Sequence, residues 1–225
     1  MTPALPAPPL LVITDRLSAQ RDLSDTVAEV LEAGCRWIMV REKDMDTAAL
    51  VALAENIVDQ ARPYGAHISV NGDPKAAGIA GASGAHLQSA AQVSPARVLL
   101  GQDALIGVSS HNLEEAQKAA DAGADYVTMS PIFLTDSKPG YGPAIGLDAL
   151  GDLCRQLPVP VIALAGITPA TAPLCLENGA AAVAVMGSVM RSDAPSKVTR
   201  EFLKSMGRGQ EFCETNEPAC GQTRR

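Results

Sequence analysis

One segment of the chain combines hydrogen-bond donors, a positive charge and a backbone rich in glycine and proline. Residues 130–146 follow an apolar run, Tyr126–Met129, that predicts a buried strand. Thr135, Ser137 and Lys138 place two hydroxyls and an ammonium in this segment, and a bound phosphate requires such groups. The glycines and prolines suit a loop that bends and closes over a ligand. A plain solvated loop is the alternative, and the place of the segment in the whole chain decides between the two.

Charged residues and glycines follow other apolar runs. Arg41 and Lys43 are two positions apart, with Glu42 between them. On an extended segment both therefore face one side and could bind a second anion. The alternative for Arg41-Glu42-Lys43-Asp44 is a solvated charge run. Gly166 and Gly187 follow two later runs, where small residues let backbone N–H groups approach a phosphate. The sequence therefore predicts anion binding at several strand ends.

Polar side chains also end three further runs, at Asn71, at Gln88-Ser89 and at Ser109-Ser110-His111. Histidines can titrate near neutral pH, which makes His86 and His111 candidates for proton transfer. A lone histidine at a strand end is more often a structural hydrogen-bonding residue, and we expect that role for both.

The elements that must position these groups are short strands alternating with helices. The apolar runs predict the strands Leu10–Thr14, Trp37–Val40, His67–Val70, Ala85–Leu87, Leu105–Val108, Tyr126–Met129, Val161–Leu164 and Ala182–Met186. Nearly all their residues are apolar, as in parallel strands buried on both faces. Helical spacing of apolar residues follows Leu50, and Asn112 is a suitable N-cap for another helix.

A weak repeat supports this order of elements. Glycine stands just before a predicted strand at Gly34, Gly84, Gly123 and Gly179, and each position suits a left-handed helix C-terminus. Eight strands in this length predict a single compact (β/α)8 TIM barrel, an α/β fold whose active site lies at the carboxyl ends of the strands. The polar groups described above fall at those ends, apart from His86, which lies inside a predicted strand.

Composition narrows the classes of function. The net charge of −7 argues against nucleic acid or a polybasic membrane contact as partners. No apolar run reaches transmembrane length, and the proline-rich start lacks the basic region of a signal peptide. The five cysteines form no CxxC pair and no zinc spacing, which favours free thiols and a cytoplasmic location. We expect a proline-rich segment at 1–9, the barrel at 10–206 and a disordered tail at 207–225.

Several motifs resemble the thiamine phosphate synthase/TenI family over about residues 10–190. They are Thr14-Asp15-Arg16, Arg41-Glu42-Lys43-Asp44, Gly107-Val108-Ser109-Ser110-His111, Gly123-Ala124-Asp125-Tyr126 and Pro131-Ile132-Phe133 with Thr135, Ser137 and Lys138. The resemblance implies a (β/α)8 barrel that handles the phosphorylated thiazole precursor of thiamine. Synthases of the family join it to hydroxymethylpyrimidine diphosphate with loss of diphosphate, and related tautomerases aromatise the thiazole carboxylate phosphate.

The resemblance also assigns substrate-binding roles. It implies that Thr135, Ser137 and Lys138 contact thiazole phosphate and diphosphate. It implies a backbone phosphate cradle at Gly166, Met186 and Gly187. The groups around the pyrimidine diphosphate would be Arg41, Lys43 and Asn71, with Ser109 at the pyrimidine itself. The implied partners are small phosphorylated heterocycles, and barrels of this size often pair, so a homodimer is an open alternative.

The chain departs from the family pattern at four positions. Gly72 and Ala91 stand where synthases have metal-binding aspartates, and Met39 replaces a glutamine. Magnesium needs hard oxygen ligands, so it is a cofactor only if the chain is a synthase in which Asp73 or Asp15 substitutes. Pro131 stands where the tautomerase branch has its histidine, and proline cannot transfer a proton.

Three hypotheses follow from this pattern. The first is a TenI-like protein that binds thiazole phosphate, as a thiazole tautomerase or without catalysis, and the missing carboxylates favour it. The second is an active thiamine phosphate synthase, which Arg41-Glu42-Lys43 favours. The third is a catalytically silent ligand-binding or regulatory barrel. We place the first ahead of the second, expect an enzyme, and leave its catalytic residues unassigned.

Overall fold

The computed structural model describes residues 4–135 and 143–214, with the backbone alone for residues 208–214. Eight parallel strands pair in chain order, and the last pairs with the first to close a barrel. The strands are β1 (Leu10–Ile13), β2 (Trp37–Val40), β3 (His67–Asn71), β4 (Gly84–Leu87), β5 (Leu105–Ser110), β6 (Tyr126–Met129), β7 (Val161–Leu164) and β8 (Ala182–Val185). The predicted (β/α)8 barrel is therefore confirmed.

Helices follow the strands and cover the outside of the barrel. They are α1 (Leu23–Glu32), α2 (Thr47–Ala61), α3 (Pro74–Ile79), α4 (Val93–Leu100), α5 (Leu113–Asp121), α6 (Gly146–Gln156), α7 (Ala172–Glu177), α8 (Gly187–Met190) and α9 (Pro195–Glu214). Asn112 caps α5 as predicted, because its side chain accepts a hydrogen bond from the backbone N–H of Glu115 at 2.9 Å. No described helix is long and apolar enough to cross a membrane.

Side chains that point inward fill the barrel and make it a packed core. Trp37 and Tyr126 meet edge to face inside it, with ring centroids 5.1 Å apart. Gly107 makes room for this pair, since a Cβ there would lie 2.1 Å from the Tyr126 ring. Leu5, in the proline-rich segment, packs against the same inner cluster. A separate, larger apolar cluster lies between the strands and the helices. The interior is thus closed below the carboxyl ends of the strands.

Five of the predicted strands differ from the observed ones by one or two residues at an end, and two expectations about helix ends also differ from the structure. Gly84 is not the end of a helix but the first residue of β4, where a Cβ would lie 2.0 Å from the carbonyl oxygen of Leu105. The left-handed position of that unit is Gly81 instead, with φ of +65°. Helix α9 runs through Gly207, where the predicted tail begins, to Glu214. Residues 215–225 lie outside the described part, and their disorder stays a prediction.

Candidate functional site

A cavity of about 590 Å³ opens at the carboxyl ends of the strands, the end predicted to carry the site. Residues from β2 to β8 and the loops that follow them form its wall. The polar and charged side chains in the described wall are Arg41, Lys43, Asn71, Gln88, Ser109, His111, Ser130, Thr135, Thr168, Ser188 and Arg191. None of the described residues in the wall is an aspartate or glutamate. The cavity is therefore a cationic concavity in a protein whose net charge is negative.

Arg41 and Lys43 enter this cavity because the residue between them turns the other way. Glu42 is buried, and its carboxylate accepts hydrogen bonds from the Thr14 hydroxyl at 2.6 Å and from the Arg16 backbone N–H. The Thr14 hydroxyl oxygen also accepts from the backbone N–H of Arg41 at 2.9 Å. The solvated charge run considered for this segment is therefore wrong at Glu42, and Arg41 and Lys43 share one face as predicted.

Burial and hydrogen bonding act against each other on the Glu42 carboxyl. Desolvation raises its pKa, and the donors at Thr14 and Arg16 oppose that shift. The Arg16 guanidinium binds Asp44 through two hydrogen bonds of 2.8 and 2.6 Å, which lowers the pKa of Asp44. The four acidic and basic residues after β2 are thus sorted, with the cations facing the cavity and the anions held outside it.

A buried imidazole supports Ser109 in the cavity wall. His86 Nε2 lies 3.4 Å from the Ser109 hydroxyl and 3.3 Å from that of Thr128, and its Nδ1 lies 3.2 Å from the Tyr126 hydroxyl. Burial lowers the pKa of His86 to about 3, so the imidazole is neutral near pH 7. The structural role predicted for His86 is confirmed. His111, unlike the buried His86, lines the cavity directly. Its Nδ1 lies 3.0 Å from a carboxylate oxygen of Glu115.

The loops after β6 and β7 rest directly on each other. Ala165 and Gly166 both have left-handed backbones, with φ of +81° and +66°. A Cβ on Gly166 would lie 2.4 Å from the carbonyl oxygen of Leu134 and 2.7 Å from Cβ of Phe133. A left-handed backbone in a non-glycine residue such as Ala165 costs free energy, and residues of this kind concentrate at functional sites. The close approach at Gly166 holds the start of the loop, including Thr135, against the cavity.

The described residues do not fit a magnesium ion held in the family's manner. Gly72 and Ala91 offer no side-chain oxygen. The carboxylate of Asp73 caps α3, accepting from the backbone N–H of Ala76 at 2.9 Å and from the Thr47 hydroxyl at 3.0 Å. Neither Asp73 nor Asp15 lines the cavity. In the described part of the chain, no group of three or more His, Cys, Asp or Glu could hold a metal ion.

Every predicted site residue that the structure describes lines this one cavity. They are Arg41, Lys43, Asn71, Ser109, Thr135, Gly166, Met186 and Gly187. Ser137 and Lys138 lie outside the described residues, so their roles stay predictions. The sequence interpretation did not assign Gln88, His111 or Arg191 to the site. Gln88 and His111 follow strands and carried that signal, whereas Arg191 lies beyond α8 and resembles any exposed helical arginine.

Fold and cavity together define a (β/α)8-barrel protein with a cationic site at the carboxyl ends of its strands. Residues 10–189 match the family described as thiamine monophosphate synthase. The chain belongs to this family, and thus to the proteins of thiamine biosynthesis.

Individual relatives agree with that assignment. The chain is 37% identical over 196 residues to a putative thiamine-phosphate synthase of Geobacter sulfurreducens, a match covering 86% of this chain and 92% of the relative. It is 37% identical over 191 residues to the thiamine-phosphate synthase of a Roseiflexus species, covering 84% of this chain and 81% of that protein. Its structure matches the thiamine phosphate pyrophosphorylase of Pyrococcus furiosus with a TM-score of 0.79 and 29% identity, covering 89% and 96% of the two chains.

Proposed function

We propose that this protein is a thiamine phosphate synthase, a transferase that joins hydroxymethylpyrimidine diphosphate to thiazole phosphate and releases diphosphate. The observation that carries the proposal is the cationic cavity shared by the described residues that the resemblance assigns to the two substrates. The relatives named thiamine-phosphate synthase also favour this alternative over the TenI-like interpretation that the sequence placed first. A cytoplasmic location belongs to the proposal and agrees with the free thiols of Cys35, Cys154 and Cys175.

The residues of the wall have distinct tasks in this proposal. Arg41 and Lys43 bind the diphosphate and neutralise the charge that develops as it leaves. Their positions are set in advance by the Thr14–Glu42 hydrogen bonds, so little reorganisation accompanies the reaction. Asn71 lines the same cavity and binds beside this diphosphate, and Ser109 orients the pyrimidine. Thr135 and the backbone N–H groups at Gly166 and Gly187 bind the phosphate of the thiazole, and Ser137 and Lys138 add to this group.

One observation favours a second candidate, a TenI-like or silent protein that binds thiazole phosphate without the transfer reaction. The described wall carries no carboxylate. Departure of diphosphate normally depends on a metal that carboxylates help to hold. In this second candidate, the cavity binds a phosphorylated thiazole and no bond forms between a pyrimidine and the thiazole.

The two candidates differ in product. Purified protein is incubated with thiazole phosphate and hydroxymethylpyrimidine diphosphate, once with magnesium and once with a chelator, and thiamine phosphate is measured by chromatography. The proposal expects thiamine phosphate in the magnesium arm. It also expects Arg41→Gln to lower kcat/KM by about 100-fold, since Arg41 acts on charge developing in the transition state. Arg62→Gln is the control, because this exposed arginine precedes β3 at the opposite end of the barrel.

Absence of thiamine phosphate in both arms would reject the synthase. The non-aromatic thiazole tautomer is then supplied, and its conversion identifies a tautomerase. Binding of thiazole phosphate without either product identifies the silent barrel.

A further inference from the structure

One positively charged side chain that the resemblance does not assign to the site reaches the cavity from the C-terminal end of α8. Arg191 follows this helix and lines the cavity wall. Its backbone N–H donates to the carbonyl oxygen of Gly187 at 3.1 Å, so the two residues lie one helical turn apart. Helical side chains point back toward the preceding turn. The guanidinium of Arg191 accordingly lies over Gly187.

Gly187 leaves the space that this guanidinium occupies. A Cβ on Gly187 would lie 2.5 Å from Nη2 of Arg191 and 2.6 Å from its Cζ and Nη1. Atoms that are not bonded do not approach so closely, so any side chain at 187 would displace the arginine. The φ of Gly187 is not in the left-handed region, which means that its backbone conformation does not require glycine. Space for Arg191 is therefore one physical reason for glycine here.

A second guanidinium lies beside the preceding residue. Nη1 of Arg41 is 4.0 Å from Sδ of Met186. Arg41 and Arg191 therefore contact two consecutive residues, Met186 and Gly187, at the end of β8. A guanidinium presents paired N–H donors that match the oxygens of a phosphate, and the charge of a phosphate dianion offsets the repulsion between two such cations.

We propose that Arg191 binds a phosphate group of the ligand in this cavity and selects phosphorylated over unphosphorylated thiazole. The group it recognises is a phosphate monoester dianion at the Met186–Gly187 turn. The identity of the thiazole rests on the proposed function, whereas the phosphate contact rests on the cavity geometry alone. The described wall offers no carboxylate that could hold a metal cation. The positive charge beside the phosphate therefore comes from side chains.

The test measures binding of inorganic phosphate and of thiazole phosphate by calorimetry, with a chelator present so that only the protein's own groups act. Arg191→Gln should weaken binding of both by about tenfold, the effect of one charge-assisted contact at a partly exposed site. Arg191→Lys should fall between wild type and Arg191→Gln, because it keeps the charge and loses the paired donors. Gly187→Ala should also weaken binding, since the added methyl displaces the guanidinium. Arg62→Gln is the control and should bind like wild type.

The outcomes separate this inference from the proposed function. Unchanged phosphate binding in Arg191→Gln overturns the inference, and so does wild-type binding in Gly187→Ala. If wild type makes no thiamine phosphate and Arg191→Gln binds phosphate more weakly than wild type, the synthase proposal fails and the inference stands. If wild type makes thiamine phosphate and Arg191→Gln has an unchanged KM for thiazole phosphate, the inference fails and the synthase stands. Circular dichroism of each variant establishes that the barrel is folded.

Discussion

At the scale of single residues, the site depends on side chains that do not touch the ligand. Thr14 serves two partners with one hydroxyl, donating to the Glu42 carboxylate and accepting from the Arg41 backbone N–H. Both Thr14 and Glu42 are buried. A buried carboxylate that loses a hydrogen-bond donor keeps its desolvation cost. Removal of this small hydroxyl should therefore lower the free energy of unfolding substantially.

Thr14→Val tests this positioning role. The substitution keeps the shape and removes the hydroxyl, so we expect the free energy of unfolding to fall by about 1–3 kcal/mol in urea titrations. We also expect weaker binding of inorganic diphosphate, because Arg41 is no longer held in place. Thr14→Ser keeps the hydroxyl and is the matched control. Equal stability and equal diphosphate binding in the two variants would show that the hydrogen bonds do not position Arg41.

At the scale of elements, the cavity end of the barrel depends on how neighbouring loops pack. Strand β7 is followed by two consecutive left-handed residues, and the chain after β6 packs onto the second of them, Gly166. The backbone of one loop therefore sets the position of the next. This contact couples the site's predicted thiazole phosphate loop to the β7 turn.

Gly166→Ala tests this coupling. The added methyl must displace Phe133 and Leu134, so we expect a loss of stability greater than the strain of a left-handed alanine, about 1–2 kcal/mol, and weaker binding of thiazole phosphate. Gly65→Ala is the control, because Gly65 has a similar φ of +59° and nothing within 4 Å of its Cβ position. The control should lose stability without losing affinity. A Gly166→Ala protein that resembles this control in both measurements would contradict the loop contact.

At the scale of the whole molecule, the barrel encloses a titratable group that is almost completely buried. Burial lowers the pKa of His86 to about 3 in the folded protein, against an ordinary value near 6.5. Between these values the unfolded chain binds a proton at this position and the folded chain does not. Stability from His86 is therefore complete above about pH 6.5 and is lost progressively as the pH falls toward 3.

The measurement is the free energy of unfolding between pH 6.5 and 5, a range above the titration of most carboxylates. His86 should reduce the stability of the wild type by about 1.5–2 kcal/mol across this range, which corresponds to about 1.4 kcal/mol per pH unit once the unfolded histidine is protonated. His86→Gln lacks the titrating group, and its pH dependence should be shallower by that amount. Parallel curves for the two proteins would mean that His86 is solvated in the folded state.

The sequence by itself predicted the order of elements and eight of the residues that line the cavity. Strand periods, glycines and caps act within a few residues, so Trp37–Val40, Tyr126–Met129 and Val161–Leu164 were predicted to the residue. Parallel strands in a closed barrel bring their carboxyl ends together, which is why residues as distant as Arg41 and Gly187 could be assigned to one cavity.

Only the tertiary structure decided which way charged side chains point. Glu42 turns into the barrel wall because the Thr14 hydroxyl and the Arg16 backbone N–H donate hydrogen bonds to it there. The carboxylate of Asp73 caps α3. Arg191 reaches the cavity because Gly187 leaves room for it. Each of these outcomes depends on a partner or a space supplied across the fold or one helical turn away. Local sequence patterns carry no record of such contacts, since the direction of a side chain is set by the neighbours it meets after folding.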